Sequence, residues 1–269
     1  MHRILRIFLL LLTFNLSLTT ISAEDNDHKQ KGKPIKPAKN IEPDMMPVQA
    51  SAEKVFPCVY ALNDQVSYIN DQYKEGIDVS RYQGSIDWKK VAESSQISYV
   101  YLKATEGESL LDRTYLRNLE EAKKVGLSVG SYHFYSPNIS WEKQFKNLTR
   151  NVVKNKQDLV PMIDIEVRGN VSHTKFLQDL KTFVAKVEEF YGRKPLLYTY
   201  QNFYNQHLVG TFKGYHWMMA KYQKERPILK DNQNYIMWQY TASGRIPGIN
   251  GEVDRSRIMG DHTLKQLKM

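Results

Sequence analysis

The sequence has few of the residues that support disulfide, metal or phosphate chemistry. Cys58 is the only cysteine, so an intramolecular disulfide is excluded, and we expect a small buried side chain there. The seven histidines are scattered and predict no metal site. The chain also lacks a glycine-rich phosphate loop and a nucleic-acid-binding motif. These absences predict a protein with no metal ion, no cofactor and no nucleic acid partner.

Long apolar runs are missing after the first two dozen residues. Residues 1–23 have two arginines, Arg3 and Arg6, before the apolar run 7–12, and they end at Ala23. This order is typical of a secretory signal peptide. The apolar run is too short to span a bilayer. We therefore expect an exported protein, periplasmic or extracellular, with no stable membrane insertion after removal of residues 1–23. This removal lowers the formal charge from +9 to +7, which suits either an anionic polymer or simple solubility.

Aromatic residues are absent from residues 24–54, where lysines and prolines recur. Such a segment cannot bury enough apolar surface to offset its ordering entropy, so we predict a flexible tether. Residues 55–73 contain some apolar side chains and predict an N-terminal extension of the main domain. Residues 74–269 are dense in aromatic and β-branched residues and have the length of one domain, which we expect to be monomeric.

Strand-like and helix-like patterns alternate within residues 74–269. The predicted strands span residues 76–80, 97–102, 128–135, 159–165 and 195–200. The predicted helices span residues 88–94, 115–125, 141–153 and 176–190, with a short helix after the fifth strand. Three further strands, at 216–220, 235–240 and 253–258, have little helix between them. Five βα units followed by three strands predict an α/β, TIM-like (β/α)5(β)3 barrel.

The fourth predicted strand ends in two carboxylates, Asp164 and Glu166, separated by one isoleucine. Residues two apart on a strand share a face and lie roughly 6.6–6.8 Å apart. Repulsion and desolvation then favour one protonated and one ionised carboxyl, as glycosidic bond cleavage requires. A solvated strand end with two ordinary acids is the alternative, so the rest of the chain has to decide.

In barrels of this type, chemistry lies at the carboxyl ends of the strands. The acids predicted at these ends are Asp78, Glu106, Asp164, Glu166 and Asp254. The other side chains predicted to bind substrate there are Lys103, Tyr132, Tyr198, Tyr200, Trp217, Trp238 and Gln239, with Tyr222 nearby. Carboxylates and aromatic planes around one mouth are what sugars need. The pattern therefore predicts a carbohydrate site.

These residues fall in motifs that resemble family 25 of the glycoside hydrolases, over roughly residues 75–258. The matching motifs are Gly76 to Gly84, Ile86 to Trp88, Lys103 to Gly107, Gly130 to Phe134, Asp164 to Glu166, Trp238 to Tyr240 and Val253 to Asp254. The resemblance implies a (β/α)5(β)3 barrel and an N-acetylmuramidase that cuts the β-1,4 bond between N-acetylmuramic acid and N-acetylglucosamine in peptidoglycan. It also implies Glu166 as proton donor, with Asp164, Asp78 and Asp254 completing the acidic cluster. After Asp254 the chain departs from the family pattern, because Arg255-Ser256-Arg257 replaces the usual leucine and asparagine.

Residue chemistry agrees with these roles. Glu166 has the longer reach and is expected to hold its proton as general acid, while Asp164 stays ionised and orients the substrate acetamido group or a water. Asp78 and Asp254 either support the site or only form hydrogen bonds behind it. His133 is expected to be a satisfied core or rim histidine.

Two other functions fit parts of the pattern. A catalytically silent glycan-binding barrel would tolerate loss of Glu166. A chitinase-like barrel would carry further aspartates at the positions of Leu159 and Met162, which disfavours it.

Overall fold

The computed structural model describes residues 75–94 and 97–269. The predicted signal peptide, tether and N-terminal extension, together with Cys58, lie outside the described residues. Within the described part of the chain, no helix is long and apolar enough to cross a membrane.

Eight of the nine strands in the described part of the chain close into a barrel. The strands are β1 Glu75–Val79, β2 Ile97–Glu106, β3 Leu110–Leu111, β4 Ser128–Phe134, β5 Met162–Asp164, β6 Leu196–Tyr200, β7 Trp217–Ala220, β8 Met237–Gly244 and β9 Val253–Ile258. Their order around the barrel is β1-β2-β4-β5-β6-β7-β8-β9, and β9 pairs with β1 to close it. The short β3 pairs only with β2. The predicted (β/α)5(β)3 barrel is confirmed.

The helices pack outside the first six barrel strands. They are α1 Trp88–Glu93, α2 Tyr115–Lys124, α3 Trp141–Asn151, α4 His173–Tyr191 and α5 Gln201–Phe203, which continues as a π-helical turn over Tyr204–Leu208. The longest, α4, begins where the Ser172 side chain accepts a hydrogen bond from the Lys175 amide, and it ends at Gly192 in the left-handed conformation. Its buried stripe faces the strands. After this π-helical turn, the only helical element among the described residues is a 3-10 turn at Leu264–Leu267.

Side chains alternate between the barrel interior and the helix layer. On β2, Val100 and Leu102 face the helices, whereas Tyr99 and Tyr101 fill the interior. Both tyrosine rings lie against glycines. A Cβ added at Gly76 would lie 2.0 Å from the Tyr99 ring, and one at Gly130 would lie 2.4 Å from the Tyr101 ring. The interior beneath the mouth is therefore filled by side chains.

Strand β5 is shorter than predicted, spanning only Met162–Asp164. Pro161 has no amide hydrogen, and the residues before it pair elsewhere. Leu159 forms an isolated bridge with Lys268, and the Val160 amide donates to the Leu267 carbonyl at 2.8 Å. Residues 159 and 160 therefore pair with the C-terminal segment and are not part of β5.

Candidate active site

The four predicted site carboxyls meet at one end of the barrel, the mouth. Asp78 lies near the end of β1, Asp164 ends β5, and Glu166 follows two residues later. Asp254 is directly opposite Asp78 in the β1–β9 pair. Asp254 lies near the amino end of β9, whereas the sequence predicts it at the carboxyl end of a strand. Because β9 is antiparallel to both neighbours, its amino end lies at the mouth.

The strand that carries Asp164 and Glu166 is held from both sides. The Tyr135 amide donates to the Asp164 carbonyl at 2.9 Å, and the Ile165 amide donates to the Tyr198 carbonyl at 2.9 Å. The Tyr200 hydroxyl donates to the Glu166 carbonyl at 3.2 Å. Ile165 is fully buried among the helices. The alternation then directs the two carboxyls into the mouth, with little backbone freedom to move apart.

Burial raises the pKa of both members of this pair. Burial first, and then repulsion by Glu166, hold the pKa of Asp164 well above its ordinary range, while Lys103 opposes the rise. Burial likewise raises the pKa of Glu166, and Lys103 together with hydrogen bonds to Asp164 and Tyr198 limits that rise. Asp164 is 7% exposed, and its Oδ1 has no hydrogen-bond partner. This environment opposes ionisation of Asp164 in the free protein, so the ionised Asp164 predicted from the sequence stays a prediction.

In the second pair, Asp78 is buried and Asp254 is partly exposed. Burial raises the pKa of Asp78 to about 7, although a hydrogen bond from Gln239 opposes the rise and Glu166 adds to it. Burial, with repulsion by Asp78 and Glu166, holds the pKa of Asp254 well above its ordinary range. Burial and mutual repulsion therefore both favour the protonated forms of the carboxyls at the mouth.

Lys103 is the cation that balances this cluster. Its Nζ donates to Glu106 Oε2 at 2.7 Å, and its side chain is only 12% exposed. The same Nζ lies 5.1 Å from the centroid of the Phe134 ring. Phe134 was not among the predicted site residues. Its position two residues after Tyr132 on β4 is the signal that could have found it, because both side chains share the inner face.

The inward-facing tyrosines predicted at the mouth lie around the carboxyls. Tyr132 pairs with Lys103 in register, and Tyr198 pairs with Asp164. Tyr198 is buried, whereas Tyr132 and Tyr200 are partly exposed. Burial, with the negative carboxyls nearby, raises the pKa of Tyr132 and Tyr198 well above the ordinary value, so both stay protonated.

The two predicted tryptophans do not face the mouth. Trp217 is fully buried and packs against Tyr204 with ring centroids 5.1 Å apart, in the layer between β7 and the π-helical turn. Trp238 pairs in register with Met219 and Arg257, which places it on the outer face of β8. Its indole N–H donates to the Lys221 carbonyl at 3.0 Å. Strand alternation explains the correction, because the mouth receives their neighbours instead.

Gln239, the neighbour of Trp238, faces the mouth as predicted. Its Nε2 donates to Asp78 Oδ1 at 2.8 Å, and its Oε1 accepts hydrogen bonds from Tyr198 at 2.8 Å and Tyr222 at 2.7 Å. Gln239 is only 1% exposed. It therefore holds the site residues rather than presenting its amide to a ligand.

His133 is a satisfied core histidine, as predicted. Its ring nitrogens lie 2.8 Å from Thr105 Oγ1 and 3.3 Å from Gln144 Oε1. Burial lowers its pKa to about 4, so it is neutral at pH 7. Within residues 75–94 and 97–269, no group of three or more histidine, cysteine or acidic side chains is arranged to hold a metal ion.

A (β/α)5(β)3 barrel whose mouth holds four neighbouring carboxyls among inward tyrosines is the framework of a barrel glycoside hydrolase. The family model described as glycosyl hydrolases family 25 matches residues 77–249. The chain belongs to this family, and the resemblance seen in its motifs is confirmed.

Several related proteins and solved structures agree with this membership. The chain is 36% identical over 197 residues to the uncharacterized protein YegX of Escherichia coli K12, covering 72% of this chain and 71% of that protein. It is 34% identical to the autolytic lysozyme of Clostridium acetobutylicum, covering 67% of this chain and 54% of that protein. A family 25 glycosyl hydrolase structure from Bacillus anthracis matches with a TM-score of 0.67 and 29% identity, covering 74% of this chain and 96% of that chain. A bacterial lysozyme structure from Streptomyces coelicolor matches with a TM-score of 0.63 and 30% identity, covering 69% and 92%.

Proposed function

We propose that the protein is an exported N-acetylmuramidase that cleaves the β-1,4 bond between N-acetylmuramic acid and N-acetylglucosamine in peptidoglycan. The observation that carries the proposal is the neighbouring pair Asp164 and Glu166 at the mouth of a family 25 barrel, where burial raises the pKa of both carboxyls. Relatives named as lysozymes support the substrate class. Export follows from the signal-peptide pattern of residues 1–23.

Glu166 is the general acid in this proposal. It lies beyond the end of β5 and is partly exposed, whereas Asp164 lies deeper in the site. Glu166 can therefore reach the substrate, and it gives its proton to the departing glycosidic oxygen as the bond to the anomeric carbon breaks. Burial raises the pKa of Glu166, which favours the protonated form that a general acid needs.

Asp164 becomes the charged partner once the substrate reaches the site. Asp164 is 7% exposed, so part of its side chain is open to a donor group on the ligand. The N–H of the substrate acetamido group is such a donor, and a nucleophilic water is another. Negative charge on Asp164 also stabilises the positive charge that develops at the anomeric carbon. Asp78 and Asp254 lie on the opposite side of the mouth and support this arrangement.

The aromatic and cationic residues then define the glycan path. Tyr132 and Tyr200 offer ring faces for sugar C–H groups, and Lys103 with Glu106 forms a polar edge beside them. The lysine-rich residues 24–54, outside the described structure, would tether the enzyme to the anionic wall after export.

Glu166→Gln tests the proposal directly. The amide keeps the shape of the side chain but cannot donate a carboxyl proton, so turnover of purified peptidoglycan should fall by on the order of 10²–10⁴ or more. Mass spectrometry of the digest should show N-acetylmuramic acid at the reducing ends with wild-type enzyme. Thermal denaturation and co-sedimentation with cell walls should stay near wild type in the variant.

Two outcomes of this experiment would contradict the proposal. Retention of more than about a tenth of wild-type turnover would remove Glu166 as the acid, because a lost general acid costs far more. Wall binding without any cleavage by the wild-type protein would instead identify the silent glycan-binding barrel.

A further inference from the structure

The base of the barrel, at the opposite end from the mouth, carries a cluster of basic side chains. Three segments form it: residues 152–158 before β5, residues 192–194 before β6 and residues 259–269 after β9. The amino ends of β5 and β6 and the carboxyl end of the antiparallel β9 all lie at this end. The three segments, which we call the base patch, carry two acids, Asp158 and Asp261, and six basic residues, Lys154, Lys156, Arg193, Lys194, Lys265 and Lys268.

Contacts between the three segments make the base patch one continuous surface. The Arg193 side chain donates to a backbone carbonyl of the third segment at 3.4 Å. The Met269 amide donates to the Asp158 carbonyl at 3.1 Å, which joins the third segment to the first. A Cβ added at Gly192 would lie 3.4 Å from Lys154 Nζ, so the first and second segments also meet. The basic side chains therefore share one surface.

The two acids of the base patch do not balance its cations. Asp158 already has partners, since its Oδ1 lies 2.6 Å from Lys123 Nζ and its Oδ2 accepts a hydrogen bond from the Val129 amide at 3.0 Å. Five of the six cations are exposed to solvent, namely Lys154, Lys156, Arg193, Lys194 and Lys265. The base patch therefore presents positive charge to solvent and attracts anionic surfaces.

A mostly apolar surface cavity of about 520 Å³ lies within the base patch. Its lining residues are Val153, Lys154, Asn155, Gln157 and Met269. Val153 is 46% exposed, directly beside Lys154 in sequence. Apolar side chains among lysines suit the boundary between lipid headgroups and acyl chains, because the lysine stem lies against apolar groups while its ammonium reaches a phosphate. A hydrated anionic polymer would use the cations but not the exposed valine.

We propose that the base patch binds the anionic headgroups of a lipid surface, so that the mouth faces away from the membrane. Lys154, Arg193 and Lys194 pair with headgroup phosphates, and Val153 enters the interface. Binding of this kind is peripheral and needs no membrane-spanning segment. Because the mouth and the base lie at opposite ends of the barrel, the bound protein presents its active site to glycan beyond the membrane. The proposal does not depend on which glycosidic bond is cleaved.

Lys154→Gln/Arg193→Gln/Lys194→Gln tests the proposal by co-sedimentation with vesicles, using the chain without the predicted signal peptide. Wild-type protein should bind vesicles of equal parts phosphatidylglycerol and phosphatidylcholine, and should bind pure phosphatidylcholine vesicles far more weakly. Each lost cation lowers affinity for an anionic lipid surface about fivefold, so the triple variant should bind roughly 100-fold more weakly. The lysines of residues 24–54 are present in both proteins and do not distinguish them.

Lys89→Gln/Lys146→Gln/Lys181→Gln is the matched control. It removes the same net charge from exposed positions on α1, α3 and α4, so it should bind anionic vesicles like wild type. Equal losses in the two triple variants would mean that only net charge matters and would overturn the base patch. Failure of the wild-type protein to bind anionic vesicles would overturn it as well. Unchanged turnover of soluble glycan fragments by both variants keeps the result separate from the proposed function.

Val153→Ser separates a lipid surface from an anionic polymer. Loss of the apolar contact should weaken binding to the anionic vesicles by roughly 3- to 10-fold, whereas binding to polyphosphate should be unchanged. This single exposed substitution also tests the proposal should the triple variant fail to fold, which its melting temperature would show. Vesicle binding that is unchanged in Val153→Ser, together with loss of polyphosphate binding in the base-patch triple variant, would identify a polymer site instead and overturn the lipid proposal.

Discussion

At the scale of single residues, buried carboxyls link the chemistry of the mouth to its stability. Asp78 is 8% exposed, and among the described residues only Gln239 is hydrogen-bonded to it, at Oδ1. Placing such a charge in a buried site costs free energy unless the group stays protonated. Ionisation of the Asp78 carboxyl at alkaline pH therefore lowers the stability of the folded protein.

Asp78→Asn should make the protein less sensitive to alkaline pH. Burial raises the pKa of Asp78 from 3.8 to about 7, so the folded state holds this proton more tightly than the unfolded state. Its contribution to stability is then complete below pH 3.8 and is lost as the pH rises through about 7. Asparagine cannot ionise and still accepts the hydrogen bond from Gln239. The fall in melting temperature between pH 5 and pH 8 should shrink by at least ~2 °C, the effect of about 1 kcal/mol in a domain of this size.

The exposed Asp261 provides the control for this measurement. Asp261→Asn removes a carboxyl outside the mouth and should leave the pH dependence of the melting temperature as in wild type. A pH dependence that is equally steep in Asp78→Asn and wild type would show that Asp78 does not titrate with folding.

At the scale of strands, alternation explains which site predictions succeeded. The pairs Asp164/Glu166 and Tyr198/Tyr200 were predictable because each shares one face of a strand, and each faces the mouth. The sequence predicts Trp217 and Trp238 at the mouth because they lie close to strand ends. Alternate residues of a strand face opposite sides of the barrel wall, however, and both tryptophans occupy positions that face outward. Which residues of β7 and β8 face outward is determined by the register of these strands with their neighbours, and the sequence of each strand alone does not give this register.

The departure from the family pattern after Asp254 follows the same rule. Arg255 and Arg257 lie on the outer face of β9, where both guanidinium groups approach the Tyr240 ring and Arg255 pairs with Glu75. Ser256 points inward and lies 3.0 Å from the Tyr99 hydroxyl. The two arginines therefore change the exterior of the barrel and leave the mouth unchanged.

Gly76→Ala tests whether the filled interior supports the mouth. The added Cβ would lie 2.0 Å from the fully buried Tyr99 ring, on the strand that carries Asp78. Overpacking of this kind costs about 1–3 kcal/mol. We expect a melting temperature lower by ~2–12 °C and reduced turnover per folded molecule.

The double variant Gly76→Ala/Tyr99→Ala checks the cause. Removing the ring relieves the clash, so the double variant should lose less stability than the sum of the two single variants. Additive losses would mean that the glycine matters for a reason other than its contact with Tyr99.

At the scale of the whole molecule, the sequence predicted the closed eight-stranded barrel but not the direction of its last strand. The βα alternation was readable because each unit is local, with caps and apolar stripes inside a short window. The antiparallel direction of β9 was not readable, since it depends on closure between β1 and β8, the first and last of the other strands. This long-range pairing brings Asp254 opposite Asp78 and completes the acidic cluster.

The lysine-rich segment 29–39 is expected to strengthen binding of the whole protein to anionic cell walls. It carries five lysines and no acidic residue, and it lies outside the described residues. If it is a tether, replacing all five lysines with glutamine should leave the melting temperature within ~2 °C of wild type. Co-sedimentation with purified anionic cell walls should weaken at low salt, because each lost charge removes a screened attraction.

High salt and a soluble substrate separate this tether effect from catalysis. At about 1 M salt the Debye length falls to roughly 3 Å, so the variant and wild type should bind walls equally. Turnover of soluble glycan fragments should be the same for both at any salt concentration, because Asp164 and Glu166 are untouched. Equal wall binding at low salt would show that the lysines do not contact the wall, and a large fall in melting temperature would show that the segment packs on the folded domain.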